Sequence, residues 1–128
     1  MKVKIDTKEK LHVITIQEPD LAANMTEQMD KHLMALLGQN VKNVVVDLQD
    51  IRAVDYAAAN ELLKLQFLFY EQQASFVVCN LQPTVKKLLM DEDLLDQLNF
   101  APTVSEAMDI VQMEEMEREM GLWRNLPS

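Results

Sequence analysis

Residues 41–73 read VKNVVVDLQDIRAVDYAAANELLKLQFLFYEQQ, and the two halves of this stretch call for different secondary structure. Val41 to Leu48 carries three consecutive valines, Val44, Val45 and Val46, the pattern of a strand covered on both faces. Asp47 sits at its C-terminal end, and the short connection Gln49 to Asp55 leads into a helix from about Tyr56 to Gln73. On that helix Ala58, Leu62, Leu65 and Phe69 fall three and four residues apart and form one apolar stripe suited to a sheet. Leu63, Phe67 and Tyr70 lie on another side. A helix apolar on more than one side is buried twice, beneath a neighbouring helix or under a partner.

Working outward, the pattern repeats. Val3 and Ile5 alternate with Lys2, Lys4 and Asp6, and Leu11 to Ile16 (LHVITI) makes a second strand after the polar turn Thr7 to Lys10. The two predict an antiparallel hairpin. A helix follows with Asn24 as N-cap, Glu27 three residues on, the stripe Met29, Leu33, Leu36 and Leu37, and Gly38 as a left-handed stop. After the central stretch, Phe76 to Asn80 (FVVCN) is another buried strand, and Pro83 opens a short helix to Met90. A turn at Asp93 to Leu98 precedes the extended pair Phe100-Ala101. Thr103 and Glu106 form a capping box for a last helix running to about Met120. Strands alternating with helices after a hairpin predict a single α/β domain, with a mixed sheet, crossover helices and an extended C-terminal helix. Residues 1–112 are expected to form the domain and residues 113–128 a helical extension and tail.

Composition narrows the function. A chain of 128 residues makes one ordinary domain. Twenty-one acidic against 12 basic residues give a net charge of -9, and no local basic patch offsets it. Phosphate backbones and anionic membranes repel such a surface, leaving proteins, small molecules or metals as partners. One cysteine makes no internal disulfide. Two glycines provide no phosphate-cradling loop. The opening MKVKIDTKEK has no apolar signal core, and no later apolar run is long enough for a bilayer, so a cytoplasmic protein is expected. No cofactor or metal is expected.

Three stretches together resemble the STAS domain of anti-sigma-factor antagonists: VVVDLQDIRAVDYAAANELL, FVVCNLQPTVKKLL and LNFAPTVSEAMDIV. Asp47-Leu48, Asp55, Asn80 to Val85 and Phe100 to Met108 fall in register with the family pattern, and the resemblance covers about residues 1–112. It implies a non-enzymatic bacterial module of signal transduction and transcription regulation. Such a module binds a serine-kinase-like anti-sigma factor and is released when a hydroxyl residue in the loop before the second helix is phosphorylated. Phosphate adds nearly two negative charges, so a surface shaped for a neutral hydroxyl rejects it. Here the pattern keeps Asp55 but places Tyr56 and Ala57 where the family has two hydroxyl residues, and Ala58 where it has glycine. Ala57 has no oxygen to phosphorylate. The resemblance thus implies a partner-binding surface at Asp55, Tyr56, Ala57 and Ala59 with no phospho-acceptor at the usual position. Alternatives are an accessory STAS subunit of a transporter ATPase complex, or a small-ligand or nucleotide sensor.

Other residues invite chemistry less strongly. Asp47 and Asp55 both lie near strand ends, where α/β sites gather, and a weaker enzymatic reading would use them as a carboxylate pair. The plainer reading is that Asp55 caps the second helix while Asp47 bonds nearby backbone amides. His12 and His32 lack metal-ligand spacing, and Cys79 reads as a buried, inert thiol. In the last helix Val104, Ala107, Met108 and Val111 face the domain. Met113, Met116, Met120 and Trp123 then share one helical face, with Glu114, Glu115, Glu117 and Glu119 opposite and Glu114 spaced to pair with Arg118. Methionine faces adapt to partner shape and a lone tryptophan anchors well. Residues 113–123 are therefore expected to form a docking or homodimer face.

Overall fold

The computed structural model describes residues 1–121 and sets the three valines at the middle of a five-stranded sheet. Strands β1 (Val3–Thr7) and β2 (Leu11–Ile16) form the hairpin, with Val3 opposite Ile16 and Thr7 opposite His12. A two-residue strand β3 (Asp20–Leu21) leads through a 3-10 turn into helix α1 (Thr26–Leu37). Then come β4 (Asn43–Asp47), a second two-residue strand β5 (Ala53–Val54) and helix α2 (Tyr56–Glu71). Strand β6 (Phe76–Cys79), helix α3 (Pro83–Asp91), strand β7 (Phe100–Ala101) and helix α4 (Val104–Glu119) complete the chain. The sheet runs β1-β2-β4-β6-β7, antiparallel at β1–β2 and parallel elsewhere, which is the mixed sheet that the alternation implies.

Period-two alternation sorts the strands' side chains between two layers. Ile14, Ile16, Val44, Val46, Phe76 and Val78 join Leu33 of α1, Leu62, Leu65 and Phe69 of α2, and Leu89 of α3 in the larger core. Phe69 meets Phe76 edge to face, with ring centroids 5.2 Å apart. On the opposite face, Leu11, Val13, Val45, Val77 and Cys79 are covered by Ala107 and Val111 of α4. Three helices thus seal one face and a single helix covers the other.

Local chemistry explains most boundaries. Pro83 stands in the first turn of α3, and Thr103 Oγ1 accepts from Glu106 N at 3.2 Å at the start of α4. The start of α1 differs from expectation. Asn24 lies inside the 3-10 turn Ala23–Met25, and Met25, which precedes the helix, makes no side-chain capping bond. Gly38 is not a left-handed stop either, since its φ is -80°. Left-handed backbone falls instead at Gln73, Asn80, Asp93 and Gly121. The strands β3 and β5 pair only with each other, Asp20 with Ala53 and Leu21 with Val54, and hold the entry to α1 beside the entry to α2.

Candidate functional site at the start of α2

Asp55 precedes α2 in extended backbone, and its two carboxylate oxygens have separate tasks. Oδ1 accepts from Ala58 N at 2.9 Å and so caps α2. Oδ2 accepts from Ala23 N at 2.8 Å, the first amide of the turn leading to α1. The backbone adds Asp55 N to Leu21 O at 3.2 Å and Arg52 N to Pro19 O at 2.6 Å. One aspartate therefore caps α2 and the 3-10 turn that leads into α1.

Around this corner Tyr56 is 53% exposed. Ala57 is also exposed, whereas Ala58 and Ala59 are buried beneath the helix. Of the four residues expected at a partner surface, Asp55, Tyr56 and Ala57 face outward. Ala59 is wholly covered, because its position in the turn points toward the large core. Grooves of about 480, 250 and 150 Å³ among the described residues are lined by other residues than these four.

Asp47 does not join Asp55. It belongs to the set Asn43, Val45 and Asp47 that faces α4, while Asp55 caps a helix on the other side of the sheet. Asp47 Oδ1 accepts from Asn80 Nδ2 and from Gln49 N, both at 3.0 Å, and Thr15 Oγ1 donates to Oδ2 at 3.5 Å. Beside it, burial and then the Asp47 charge push the Cys79 thiol up to about 12, which keeps it protonated and unreactive. His12 is buried between Thr7 and the Val41 carbonyl. Since a carbonyl only accepts, His12 Nε2 carries a proton and donates at 2.8 Å, while Nδ1 is hydrogen-bonded to Thr7 Oγ1 at 2.8 Å. His32 lies on α1, in a different element. No cluster of metal-ligating side chains occurs among the described residues.

The second expected surface lies on α4, whose helix continues unbroken across residue 112. Met113, Met116 and Met120 are 59%, 55% and 68% exposed along its outward side. Trp123, expected on the same face, lies outside the described residues. The inward side is tied down by groups that sequence spacing did not bring together. Asn43 Nδ2 donates to the Lys10 carbonyl at 2.9 Å and to Glu115 Oε2 at 2.7 Å, and its Oδ1 accepts from Ser75 N and Arg118 Nη2. Arg118 Nη2 also reaches Ser75 Oγ at 3.0 Å and Glu115 Oε2 at 2.9 Å. Arg118 thus pairs with Glu115, one residue later than the expected partner Glu114. Glu114 Oε1 accepts from the Tyr70 hydroxyl at 2.7 Å, joining α4 to the end of α2. Burial would raise the Glu115 carboxyl, but its bonds from Arg118 and Asn43 outweigh that and hold it below the usual range. On α2, Leu63 and Tyr70 are half-buried against the core, and Phe67 is 64% exposed.

Residues 2–107 match the family model of the STAS domain. Among solved structures, a Moorella thermoacetica RsbS carrying a serine-to-glutamate substitution is 22% identical with a TM-score of 0.72, covering 88% of this chain and 96% of that one. An anti-sigma-factor antagonist (STAS) domain protein from Planctomyces limnophilus is 20% identical at a TM-score of 0.71, covering 86% and 97%. The anti-sigma factor antagonist SpoIIAA in its unphosphorylated form is 19% identical at a TM-score of 0.68, covering 87% and 96%. At these identities the likeness is one of fold. No curated protein sequence matches the chain.

Proposed function

Because the chain belongs to the STAS-domain family, we propose that it is a non-enzymatic regulator that works by protein–protein contact, as an anti-sigma-factor antagonist does, without a phosphorylation switch at position 57. The observation that carries this reading is the corner at Asp55. The scaffold is complete, with both carboxylate oxygens bonded, yet the exposed residues beside it are Tyr56 and Ala57. An exposed tyrosine on a rigid helix start is a good contact residue, since it carries large area at little entropic cost. An alanine after it leaves no hydroxyl for a serine kinase. The complex is then constitutive, or is controlled elsewhere. The acidic surface suits a protein partner in the cytoplasm rather than nucleic acid, and no helix among the described residues is long and apolar enough to cross a membrane.

The test is calorimetric titration against an anti-sigma factor or serine-kinase partner encoded beside the gene. Tyr56→Lys is expected to weaken the complex about tenfold or more, as for an interface anchor. Ala57→Ser is expected to regain phosphate from such a kinase and then to release it. Binding to an ATPase subunit in place of such a partner would support the transporter-subunit reading. A thermal-shift rise with a nucleotide, together with no protein complex, would support a ligand sensor and overturn the proposal.

A further inference from the structure

The outward side of α4 carries an apolar ridge that no described part of the domain covers. Met113, Met116 and Met120 recur at three and four residues, with Asp109 one turn earlier in the same row. Beside the ridge, between α4 and the β1–β2 turn, runs a groove of about 480 Å³ whose apolar floor is formed by Leu11, Met108, Val111 and Met116. Its rim carries Glu9, Asp109, Glu115 and Glu119 against Lys8 and Lys10. Both lysines already stand beside carboxylates, Lys8 at 3.2 Å from Asp6 and Lys10 at 3.9 Å from Glu119. The rim is therefore net negative on a chain of net charge -9.

We propose that this ridge and groove bind a cationic amphipathic helix of a protein partner, whose apolar side packs on Met108 and Met116 while its lysines or arginines meet Glu9, Asp109 and Glu119. Three features favour that occupant. Unbranched thioether side chains repack around helices of differing shape, which suits a surface reading an apolar stripe rather than one exact outline. The carboxylate rim attracts basic residues and repels a second copy of this acidic chain. The platform is held in place by Arg118, Asn43 and Ser75 beneath and by the Glu114–Tyr70 bond at its flank, so docking does not have to order α4. A compact ligand fits less well, because the groove floor offers no converging buried polar groups to orient one. The inference adds a second surface to the partner-binding reading above, and separate residues probe the two surfaces.

The experiment is fluorescence anisotropy of a labelled model helix made only of leucine and lysine, with a scrambled peptide of the same composition as control. The helical peptide is expected to bind the full chain at least about tenfold tighter than the scramble. Met116→Lys and Asp109→Lys should each weaken it severalfold, Met116→Leu should keep it, and Tyr56→Lys should leave it unchanged. Equal binding of the scramble would overturn the proposal in favour of bulk charge attraction. An unaffected Met116→Lys variant would overturn it by placing the site elsewhere. Binding seen only after removal of residues 122–128 would assign the face to the chain's own terminus. A free chain that is dimeric and becomes monomeric on Met116→Lys would assign it to a second copy.

Discussion

The two faces of the sheet are closed by different means. Under α1, α2 and α3 the contact is apolar almost throughout, with Phe69, Phe76, Leu62, Leu65 and Leu33 wholly covered. Under α4 the apolar contact ends near Val111, and the next turn is anchored by a partly buried polar cluster of Asn43, Ser75, Glu115 and Arg118. Hydrophobic burial has no direction, so the first face holds three helices mainly by area, with hydrogen bonds such as those of Asp55 at their ends. Hydrogen bonds are directional, so the second face fixes the rotation of a single helix and thereby which side of it looks outward. The adaptable surface is carried by the face held most specifically.

The comparison breaks most visibly at Phe69. Phe69→Ala removes the ring that meets Phe76 and leaves a cavity under three helices, and is expected to cost about 4 kcal/mol in urea unfolding. Arg118→Ala should cost less, about 2 kcal/mol, because Glu115 keeps partial access to water while Asn43 and Ser75 each lose one bond. It should also raise amide exchange in the last turns of α4 while the α1–α3 face stays protected. If exchange rose equally on both faces, the independence of the two closures would fail.

The smallest effects concern pH and have opposite signs on the two faces. Asp30 on α1 is pushed up to about 6 by burial and by the neighbouring Glu61 on α2. A carboxyl raised in the folded state stabilises by holding its proton, so this contribution declines as pH rises from about 4 through about 6. Asp30→Asn should recover roughly 1 kcal/mol at neutral pH, a modest figure because solvent screens much of the repulsion, and should flatten the profile between those values. Glu115, held below the usual range, stabilises above the unfolded carboxylate range, and this is lost only as pH falls through its lowered value. Unfolding midpoints that moved the same way in Asp30→Asn and Glu115→Gln chains under acid would contradict this assignment.

The same division governs what could be read from the sequence. Helices α1 and α2 on the larger-core face announce themselves by apolar period, and the three valines of β4, Pro83 of α3 and Thr103 with Glu106 of α4 lie where local chemistry puts them. What local chemistry missed is tertiary. Asn24 looked like a helix cap because it has the right type and a glutamate three residues on, yet the amide that needs capping belongs to Ala23, and its acceptor, Asp55, lies 32 positions away. The pairs β3 and β5 are too short to show a period. Arg118 and Asn43 are 75 residues apart, and no spacing rule links them. At the candidate surface the capping role of Asp55 is legible in the sequence, while the burial of Ala59 depends on which side of α2 meets the core.

The order of strands has one more consequence, for self-association. A sheet open at both edges can in principle grow without limit, by adding copies strand to strand. Here one edge, β7, is two residues long and followed at once by Pro102 and a capped helix, too short to template another chain. The other edge, β1, is five residues long, with Lys4 and Asp6 exposed along it. Among the described residues β1 is the longer open edge of the five-stranded sheet, and pairing of β1 to β1 closes on itself after two copies rather than propagating into a fibre.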